Sequence, residues 1–353
     1  MDRIEKMMKE FTEAAGVSGD EGEVFSLMEK YLEEIVEVGR DKLGSFIGKL
    51  TAGGESPRIM LAGHMDEVGM MVSHFTDNFV RFAVVGGWWA PRMIGLPVVI
   101  KTADKDIRGV VASRSPFHME GDERKKVPKK TDLFIDVGLT GDEEPAGLGI
   151  KPGDPVVPDS PFTPLINGNT YMAKAWDNRI GCMAVVETLT RLSGEKPPCA
   201  VFGVGTVQEE VGLRGAETSV HHVNPDVCLA VDVGIAQDIP GAPKGGMDRL
   251  GKGVSISVFD ASLIPNRALR DLVVSVAEKE EIEYYFSATP YGGTDGGKFH
   301  LSRSGVPTIV LSIPTRYIHS GGGILDRRDF ENTVRLLVRL IMKLDDKAVS
   351  GLA

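Results

Sequence analysis

The chain has 353 residues, of which 42% are hydrophobic and 25% charged, with 40 Lys and Arg against 50 Asp and Glu and a formal net charge of −10. This composition is typical of a globular protein and excludes wholesale disorder or a collagen-like repeat. At roughly 150 residues per domain, the length predicts two domains or one large α/β domain with an insertion. The acidic balance argues against nucleic acid partners, which require a basic surplus, and suits metal ions.

The sequence shows no targeting segment, membrane span or disulfide framework. Its first residues carry several charges, and no stretch approaches the roughly 18 uninterrupted apolar residues that a membrane span requires. The three cysteines, Cys182, Cys199 and Cys228, lie far apart in apolar segments, which argues against disulfides and against a cysteine-based zinc site. We therefore expect a reduced, cytoplasmic protein with no membrane partner.

Two amphipathic helices open the chain, with apolar residues at helical spacing over 4–15 and 24–35, and Asp20 and Glu23 are predicted to form a capping box for the second. Short apolar runs then alternate with helical patterns. The predicted strands are 58–64, 200–207, 227–233 and 308–313, and the predicted helices are 180–192, 268–278 and 330–344. This alternation predicts an α/β fold whose mixed sheet carries helices on both faces.

Residues 70–165 have a different texture. Short alternating strands are broken there by glycine and proline, and no long helical pattern is present, so we predict a small β-barrel or sandwich inserted into the α/β domain. A basic cluster over 124–130 is either a solvated loop or a patch for an anion or a partner. Trp88 and Trp89 are predicted to lie in the core or interface of the insert.

Five segments place metal-binding residue types near the ends of predicted strands or ahead of a helix. They are Gly63-His64-Met65-Asp66-Glu67, Ala175-Trp176-Asp177-Asn178, Thr206-Val207-Gln208-Glu209-Glu210, Ala230-Val231-Asp232-Val233-Gly234 and Tyr317-Ile318-His319-Ser320. Taken singly, some have simpler explanations, because His64 could be a structural histidine and Asp177 could cap a helix. Two adjacent carboxylates leaving a buried strand, however, repel each other unless a cation compensates them.

The carboxyl ends of the strands in an open α/β sheet share one crevice, so these side chains can converge. We predict His64, Asp177, Glu210, Asp232 and His319 as metal ligands, with Asp66 and Glu209 as carboxylates that do not bind metal. Two imidazoles and three carboxylates suit two divalent ions of the zinc type, bridged by one carboxylate roughly 3.5–4 Å apart. Such a centre predicts the hydrolysis of an amide.

The same segments resemble the M42 family of metallo-aminopeptidases, which includes TET-type glutamyl, leucyl, lysyl and deblocking enzymes. The resemblance extends to Gly293-Thr294-Asp295 and, within the insert, to Asp132-Leu133-Phe134-Ile135-Asp136. It implies a zinc-peptidase-like fold, with a catalytic domain over 1–69 and 166–353 and a dimerisation domain over 70–165. It also implies homo-oligomers, commonly tetrahedral dodecamers, that admit short peptides.

The resemblance implies a role for each site residue. Asp177 would bridge two ions, Zn or Co, with His64 and Asp232 completing one and Glu210 and His319 the other. Glu209 would be the general base that takes a proton from the bridging water and delivers it to the leaving amine. Asp66 would hydrogen-bond the His64 ring and fix its orientation. The preferred N-terminal side chain stays open.

Two other functions remain as alternatives. A glycosidase would use paired carboxylates without metal, but adjacent Glu209 and Glu210 are expected to point apart in an extended chain. A metal-binding assembly protein without activity is the second alternative. Five histidines outside the motifs are predicted to be packed or solvent-facing: His74, His118, His221, His222 and His300. The glycine-rich run 292–297 lacks a phosphate-loop pattern and is predicted to approach the catalytic crevice.

Overall fold

The computed structural model describes residues 1–242 and 247–352. The helices are α1 (Arg3–Glu13), α2 (Gly22–Leu32), α3 (Ala90–Met93), α4 (Trp176–Leu192), α5 (Arg214–Val223), α6 (Arg267–Lys279), α7 (Gly296–Phe299), α8 (Arg327–Ile341) and α9 (Asp346–Ser350). The first strands are β1 (Val36–Arg40), β2 (Phe46–Leu50), β3 (Arg58–His64), β4 (Gly69–Thr76), β5 (Phe79–Val85), β6 (Pro97–Lys101), β7 (Asp106–Ala112), β8 (Phe134–Asp136) and β9 (Pro155–Pro158). The remaining strands are β10 (Thr163–Pro164), β11 (Thr170–Ala173), β12 (Ala200–Thr206), β13 (Val227–Ile235), β14 (Val254–Asp260), β15 (Tyr284–Thr289), β16 (Thr308–Arg316) and β17 (Gly323–Asp326).

A large mixed sheet forms the centre of the fold, in the order β1-β2-β12-β3-β13-β16-β17-β11-β10, with β14 and β15 branching from β16. Its middle strands β12, β3, β13 and β16 are parallel, and every residue of β12 is buried. Parallel strands covered on both faces consist of near-continuous apolar runs, which is why these four strands could be predicted from sequence. Their carboxyl ends lie at one edge of the sheet.

Helices cover both faces of this sheet. One apolar core joins α1, α2, α4, α6 and α8, and a second core on the other side joins α5 and α7. α4 is buried along nearly its whole length and packs against β3, β13 and α8. The predicted α/β fold with helices on both faces is confirmed. No helix within the described residues combines the length and apolar character needed to cross a membrane.

Strands β4 to β9, which follow β3 in the chain and precede the later strands of the sheet, form a closed barrel in the order β4-β5-β8-β7-β6-β9. Its own apolar core includes Trp88, whereas Trp89 is largely exposed. The predicted small β-barrel is therefore confirmed as part of the fold. The residue limits of the two domains and the role of the barrel in dimerisation remain predictions.

The predicted capping box ahead of α2 is wrong. α2 begins after Glu21, and no side chain caps it. Glu23 reaches back instead, and its Oε2 accepts a hydrogen bond from the backbone N–H of Ala15 at 2.9 Å. A capping box is present at α1, between Asp2 and Glu5. The loop before α2 thus leaves its acidic side chains free for tertiary contacts, which local helix rules do not predict.

Candidate metal centre

The five predicted metal ligands come together at the carboxyl edge of the central sheet. His64 is the last residue of β3, and Asp232 lies near the end of the adjacent strand β13. Glu210 follows β12, His319 follows β16, and Asp177 lies at the start of α4. Because the parallel strands end at one edge, side chains that are far apart in sequence meet there.

A glycine pair brings β3 and α4 into backbone contact at this edge. A Cβ atom at Gly63 would lie 2.5 Å from the carbonyl carbon of Gly181, so no larger residue fits between strand and helix. Gly63 precedes His64, and Gly181 follows Asp177 by about one helical turn. The close approach places His64 Nε2 at 3.1 Å from Asp177 Oδ1.

The Asp177 carboxylate lies between the two imidazoles. Its Oδ1 faces His64, and its Oδ2 is 3.2 Å from His319 Nε2. Each imidazole has a further carboxylate beside it: Asp232 Oδ1 is 3.9 Å from His64 Nε2. Glu210 Oε1 is 3.3 Å from His319 Nε2. Two ligands that are each 2.0–2.1 Å from a tetrahedral zinc ion lie about 3.3 Å apart, so the spacing fits two ions that share Asp177.

Both imidazoles are held so that Nε2 faces the carboxylates. His64 Nδ1 lies 3.0 Å from the backbone carbonyl oxygen of Asp66, and His319 Nδ1 lies 2.8 Å from that of Gly87. A carbonyl oxygen can only accept, so each Nδ1 carries the donated proton. In the neutral ring, Nε2 is then available to a metal ion.

The cluster contains more carboxylates than two imidazoles can neutralise. Burial raises the pKa of Glu209 and of Asp232 well above the usual carboxyl value. Burial alone would lower the pKa of His319, but Asp177 and Glu210 raise it to about 11. Groups that are so strongly perturbed around one centre are typical of a site that requires a cation for charge balance.

One carboxylate oxygen of the cluster has no well-aligned hydrogen bond. Oε1 of Glu210 is buried and 3.3 Å from His319 Nε2, but no donor within the described residues has hydrogen-bond geometry toward it. Leaving a buried polar group unpaired costs about 1–3 kcal/mol, and more for a charged group. A divalent ion beside His319 would supply the missing partner, and the nitrogen and oxygen donors of this cluster suit ions of the zinc type.

Glu209 and Asp66, the two carboxylates predicted not to bind metal, both lie beside His64. Glu209 Oε2 is 3.8 Å from His64 Nε2. Asp66 Oδ1 is 3.5 Å from His64 Nδ1, farther than the backbone carbonyl oxygen of the same residue at 3.0 Å. Asp66 therefore holds the ring chiefly through its main chain. Its carboxylate accepts hydrogen bonds from the backbone N–H groups of Glu209 at 2.9 Å and Glu210 at 3.1 Å.

The expectation that Glu209 and Glu210 point apart is wrong. Gln208 has a φ of 56°, in the left-handed region, so the chain is not extended where the two acids begin. One oxygen of each carboxylate lies within 4.8 Å of the other and of a ring nitrogen of His64. Both acids therefore face the same centre.

The alternative interpretation of Asp177 as a helix cap is also excluded by its contacts. Within the described part of the chain, no backbone N–H of α4 donates to its carboxylate. Asn178 has the capping role: its Oδ1 accepts from the backbone N–H of Gly181 at 3.0 Å, and its amide donates to the carbonyl oxygen of Val231 at 2.8 Å. The Asp177 carboxylate is left to face the imidazoles.

The barrel contributes to the site in a way the sequence did not predict. After β5, Gly86 and Gly87 pass directly beside the cluster, where Gly87 accepts the His319 hydrogen bond. A Cβ atom at Gly87 would lie 2.8 Å from His319 Nδ1, and one at Gly86 would lie 3.3 Å from Glu210 Oε2. Two consecutive glycines in a strand-rich segment indicate a turn as readily as a close approach, so their contact with the site follows only from the fold.

We expect Gly87→Ala to lower kcat/KM by about 10- to 100-fold, because displacing a catalytic group by about 1 Å can have an effect of this size. The new methyl group would push the His319 ring away from Asp177. Steady-state kinetics on a peptide substrate, together with metal content by mass spectrometry, measure the effect. Gly147→Ala, where a Cβ atom meets nothing within 4 Å, is the matched control. Equal activity of both variants would contradict the assignment.

A cavity of about 690 Å³ opens beside the cluster. Hydroxyl side chains line much of its wall: Ser257, Ser262, Ser287, Thr289, Thr294 and Ser312. Asp248 and Asp260 also contribute to the wall, as does the backbone at Gly292 and Gly293. The prediction that this glycine-rich run approaches the crevice is confirmed. The volume lies in the range of small-molecule pockets.

None of the five histidines outside the motifs joins the metal-binding groups found within the described residues. Four of them are exposed and His300 is half-buried, in agreement with the prediction that they are packed or solvent-facing. Asp295, which the sequence analysis named only as part of the Gly293-Thr294-Asp295 motif, is buried behind the site. Its Oδ2 accepts a hydrogen bond from the Thr206 hydroxyl, at the end of β12, and burial raises its pKa to about 6.

Comparison with known proteins agrees with this geometry. A family model described as M42 glutamyl aminopeptidase matches residues 44–336. The chain belongs to the M42 aminopeptidase family. A second model, described as AMPT, matches residues 2–28 of this M42 protein. The resemblance inferred from the motifs is therefore confirmed over most of the chain.

Three similar proteins match this M42 protein over nearly the whole length of both chains. The glutamyl aminopeptidase of Lactococcus lactis subsp. cremoris (strain MG1363) is 33% identical over 350 residues, which cover 97% of each chain. The crystal structure of the TET aminopeptidase from the marine sediment archaeon Thaumarchaeota archaeon SCGC AB-539-E09 has a TM-score of 0.97 and 43% identity, and covers all of both chains. The TET1 peptidase of Pyrococcus horikoshii, which can assemble into a tetrahedron or a large octahedral shell, has a TM-score of 0.86 and 32% identity, and covers 96% of this chain and 99% of its own.

Proposed function

We propose that this M42 protein is a two-metal aminopeptidase that removes N-terminal residues from short peptides. The observation that carries the proposal is the position of Asp177, whose two carboxylate oxygens each face a different imidazole at 3.1 and 3.2 Å. A carboxylate between two nitrogen ligands suits a pair of divalent ions that share it. Family membership supports the same activity.

The ligands divide into two sets that share Asp177. His64 and Asp232 complete one set, and Glu210 and His319 complete the other, with the atoms of each set within 4.8 Å of one another. Two Zn²⁺ or Co²⁺ ions bound there would polarise the scissile carbonyl group and make a water molecule more acidic. Both sets open toward the cavity, where the substrate carbonyl group can reach them.

Glu209 is the proposed general base. Its carboxylate lies beside the cluster, 3.8 Å from His64 Nε2, and burial raises its pKa well above the usual value. A carboxylate of raised pKa takes a proton from the attacking water more readily than an ordinary glutamate does and can then protonate the leaving amine. Because Glu209 is not needed by either ligand set, it is free for this proton transfer.

We propose further that the protein acts as a homo-oligomer, in which dimers formed through the barrel assemble into a tetrahedral dodecamer. Its similarity to TET structures supports this arrangement. A closed shell with the active sites inside it would admit short peptides and exclude folded proteins. Sedimentation and light scattering on the purified protein measure the assembly.

Metal removal tests the proposed activity. Dialysis against a chelator should abolish the release of N-terminal residues from a panel of short peptides, and addition of Zn²⁺ or Co²⁺ should restore it. Full activity after complete removal of metal, measured by mass spectrometry, would contradict the proposal.

Two outcomes would favour the alternatives. Release of reducing sugar from a β-glucan without metal would indicate a glycosidase, although Glu209 and Glu210 both lie beside His64 in a group of residues that could hold a metal ion. A metal-loaded protein that cleaves no peptide would indicate a binding or assembly role.

A further inference from the structure

The loop that carries the proposed base leaves β12 with an unusual backbone. Gln208, immediately before Glu209, has a φ of 56° and lies in the left-handed region. For a residue with a side chain this conformation costs roughly 1–2 kcal/mol. It also turns consecutive N–H groups toward one side, which forms a concave site for anions. Other contacts must therefore stabilise the backbone at Gln208.

Two carboxylates from distant parts of the chain fill this concave site. Glu21 Oε1 accepts from the backbone N–H of Gln208 at 3.0 Å. Asp66 Oδ1 accepts from the N–H of Glu209 at 2.9 Å, and its Oδ2 accepts from the N–H of Glu210 at 3.1 Å. Three successive N–H groups thus each donate to a carboxylate oxygen. We call Glu21 and Asp66, with their contacts to residues 208–210, the carboxylate clamp.

The clamp is itself fixed by the segment before α2. The Ser18 hydroxyl donates to Asp66 Oδ2 at 2.6 Å, and the backbone N–H of Gly19 donates to Glu21 Oε1 at 2.7 Å. Asp66 is fully buried, and Glu21 is 7% exposed. Both carboxyl groups therefore exchange water for backbone and hydroxyl donors of the protein.

Buried ion pairs hold the same segment from the other side. The Arg179 guanidinium donates to the carbonyl oxygens of Phe11, Ala14 and Gly16 and to Glu67 Oε1, at 2.9 to 3.2 Å. The backbone N–H of Glu67 donates to the carbonyl oxygen of Gly16 at 2.9 Å. The segment is thus fixed both to Glu67, which follows Asp66, and to Arg179 near the start of α4. It has little freedom to move relative to the metal-binding edge.

We propose that Glu21 is a positioning residue of the proposed aminopeptidase reaction, which fixes the backbone at Gln208 and, together with the Asp66 contacts to the next two N–H groups, aims Glu209 at the attacking water. The proposal rests on the proposed function for its catalytic consequence, but the clamp itself is a structural statement. A side chain 187 residues away in sequence sets the direction of the base. Glu21 makes no contact with the ligand atoms, so its effect passes through the main chain.

Substitution of Glu21 separates this role from a general contribution to stability. We expect Glu21→Ala to lower kcat by about 10- to 100-fold with KM changed less than about threefold, because a small misplacement of a catalytic group has an effect of this order. Glu21→Gln keeps an acceptor oxygen at Oε1 and should recover most of the lost kcat. Glu23→Ala is the matched control, because Glu23 also accepts a backbone N–H, that of Ala15, but does not contact residues 208–210. It should leave kcat unchanged.

Hydrogen exchange provides a second measurement that does not depend on activity. In the metal-free protein, peptides that span 206–213 should exchange at least about tenfold faster in Glu21→Ala than in the wild type, with no change in Glu23→Ala. Where Glu21→Ala does not fold, Ser18→Ala, which removes only the hydroxyl donor to Asp66, should give a smaller change in the same direction for both exchange and kcat.

Unchanged exchange over 206–213, or an unchanged kcat in the folded variants, would overturn the proposal. A wild-type protein that cleaves no peptide with either metal would refute the proposed function instead, and exchange over 206–213 would still decide whether the clamp exists.

Discussion

Glu209→Gln should lower kcat by about 10²- to 10⁴-fold while leaving the metal content unchanged. A general base contributes a factor of this size, and an amide cannot take up the proton from the attacking water. Glu209 belongs to neither of the ligand sets that share Asp177, so the two ions should remain bound. Steady-state kinetics and metal analysis by mass spectrometry on the same preparation measure both quantities.

The matched control is Glu217→Gln on α5, an exposed glutamate that pairs with Lys298. It removes the same charge close by in sequence without contact with the cluster and should have wild-type kinetics. If Glu209→Gln kept a rate within about threefold of the wild type, another group would have to be the base. Loss of metal in this variant would indicate that Glu209 is a ligand.

Asp177→Asn should remove both metal binding and activity. The amide nitrogen cannot act as a ligand, so one of the two oxygens that face the imidazoles is lost together with the bridging charge. Loss of the metal ions removes several kcal/mol of transition-state stabilisation, and each 1.36 kcal/mol is a factor of ten, so kcat/KM should fall by more than about a thousandfold. Calorimetric titration of the metal-free protein with Zn²⁺ measures the loss of affinity.

Asp271→Asn on α6 is the control for this substitution, since Asp271 lies on the surface and pairs with Arg270. It should bind two ions per subunit, like the wild type. Two tightly bound ions in Asp177→Asn would rule out a bridging role. A single remaining ion would show that one ligand set binds without the other, and would contradict the expectation that the two sets depend on a shared carboxylate.

Much of the central fold could be predicted because its signals are local. The four parallel strands are continuous apolar runs, and the long helices between them repeat apolar residues every three to four positions. The other strands of the large sheet, among them β1, β2, β14 and β15, and helix α5 were not predicted. These four strands lie outside the central parallel strands, and polar residues or glycine interrupt the apolar run in each of them. The buried face of α5 contains Gly215, Ala216 and Ser219, which are too small or polar to give a clear apolar period.

The candidate residues of the centre could likewise be named from the sequence. Adjacent carboxylates at Glu209 and Glu210 are unfavourable without a cation when they are buried, and the carboxyl ends of parallel strands lie together at one edge of a sheet. The directions of those side chains could not be predicted from the sequence. The two glutamates face one centre because Gln208 adopts a left-handed conformation that an extended strand would not have.

The sequence by itself therefore determined the class of fold, the four apolar strands at the centre of the sheet and the residues expected at the site, because the pattern of each element is local in the chain. Only the tertiary structure decided how those residues are held. Gly87 of the barrel accepts the His319 hydrogen bond, and Glu21 before α2 fixes the loop of the proposed base. These contacts join residues separated by 232 and 187 positions, and no local pattern records which backbone donors and acceptors will meet across such distances.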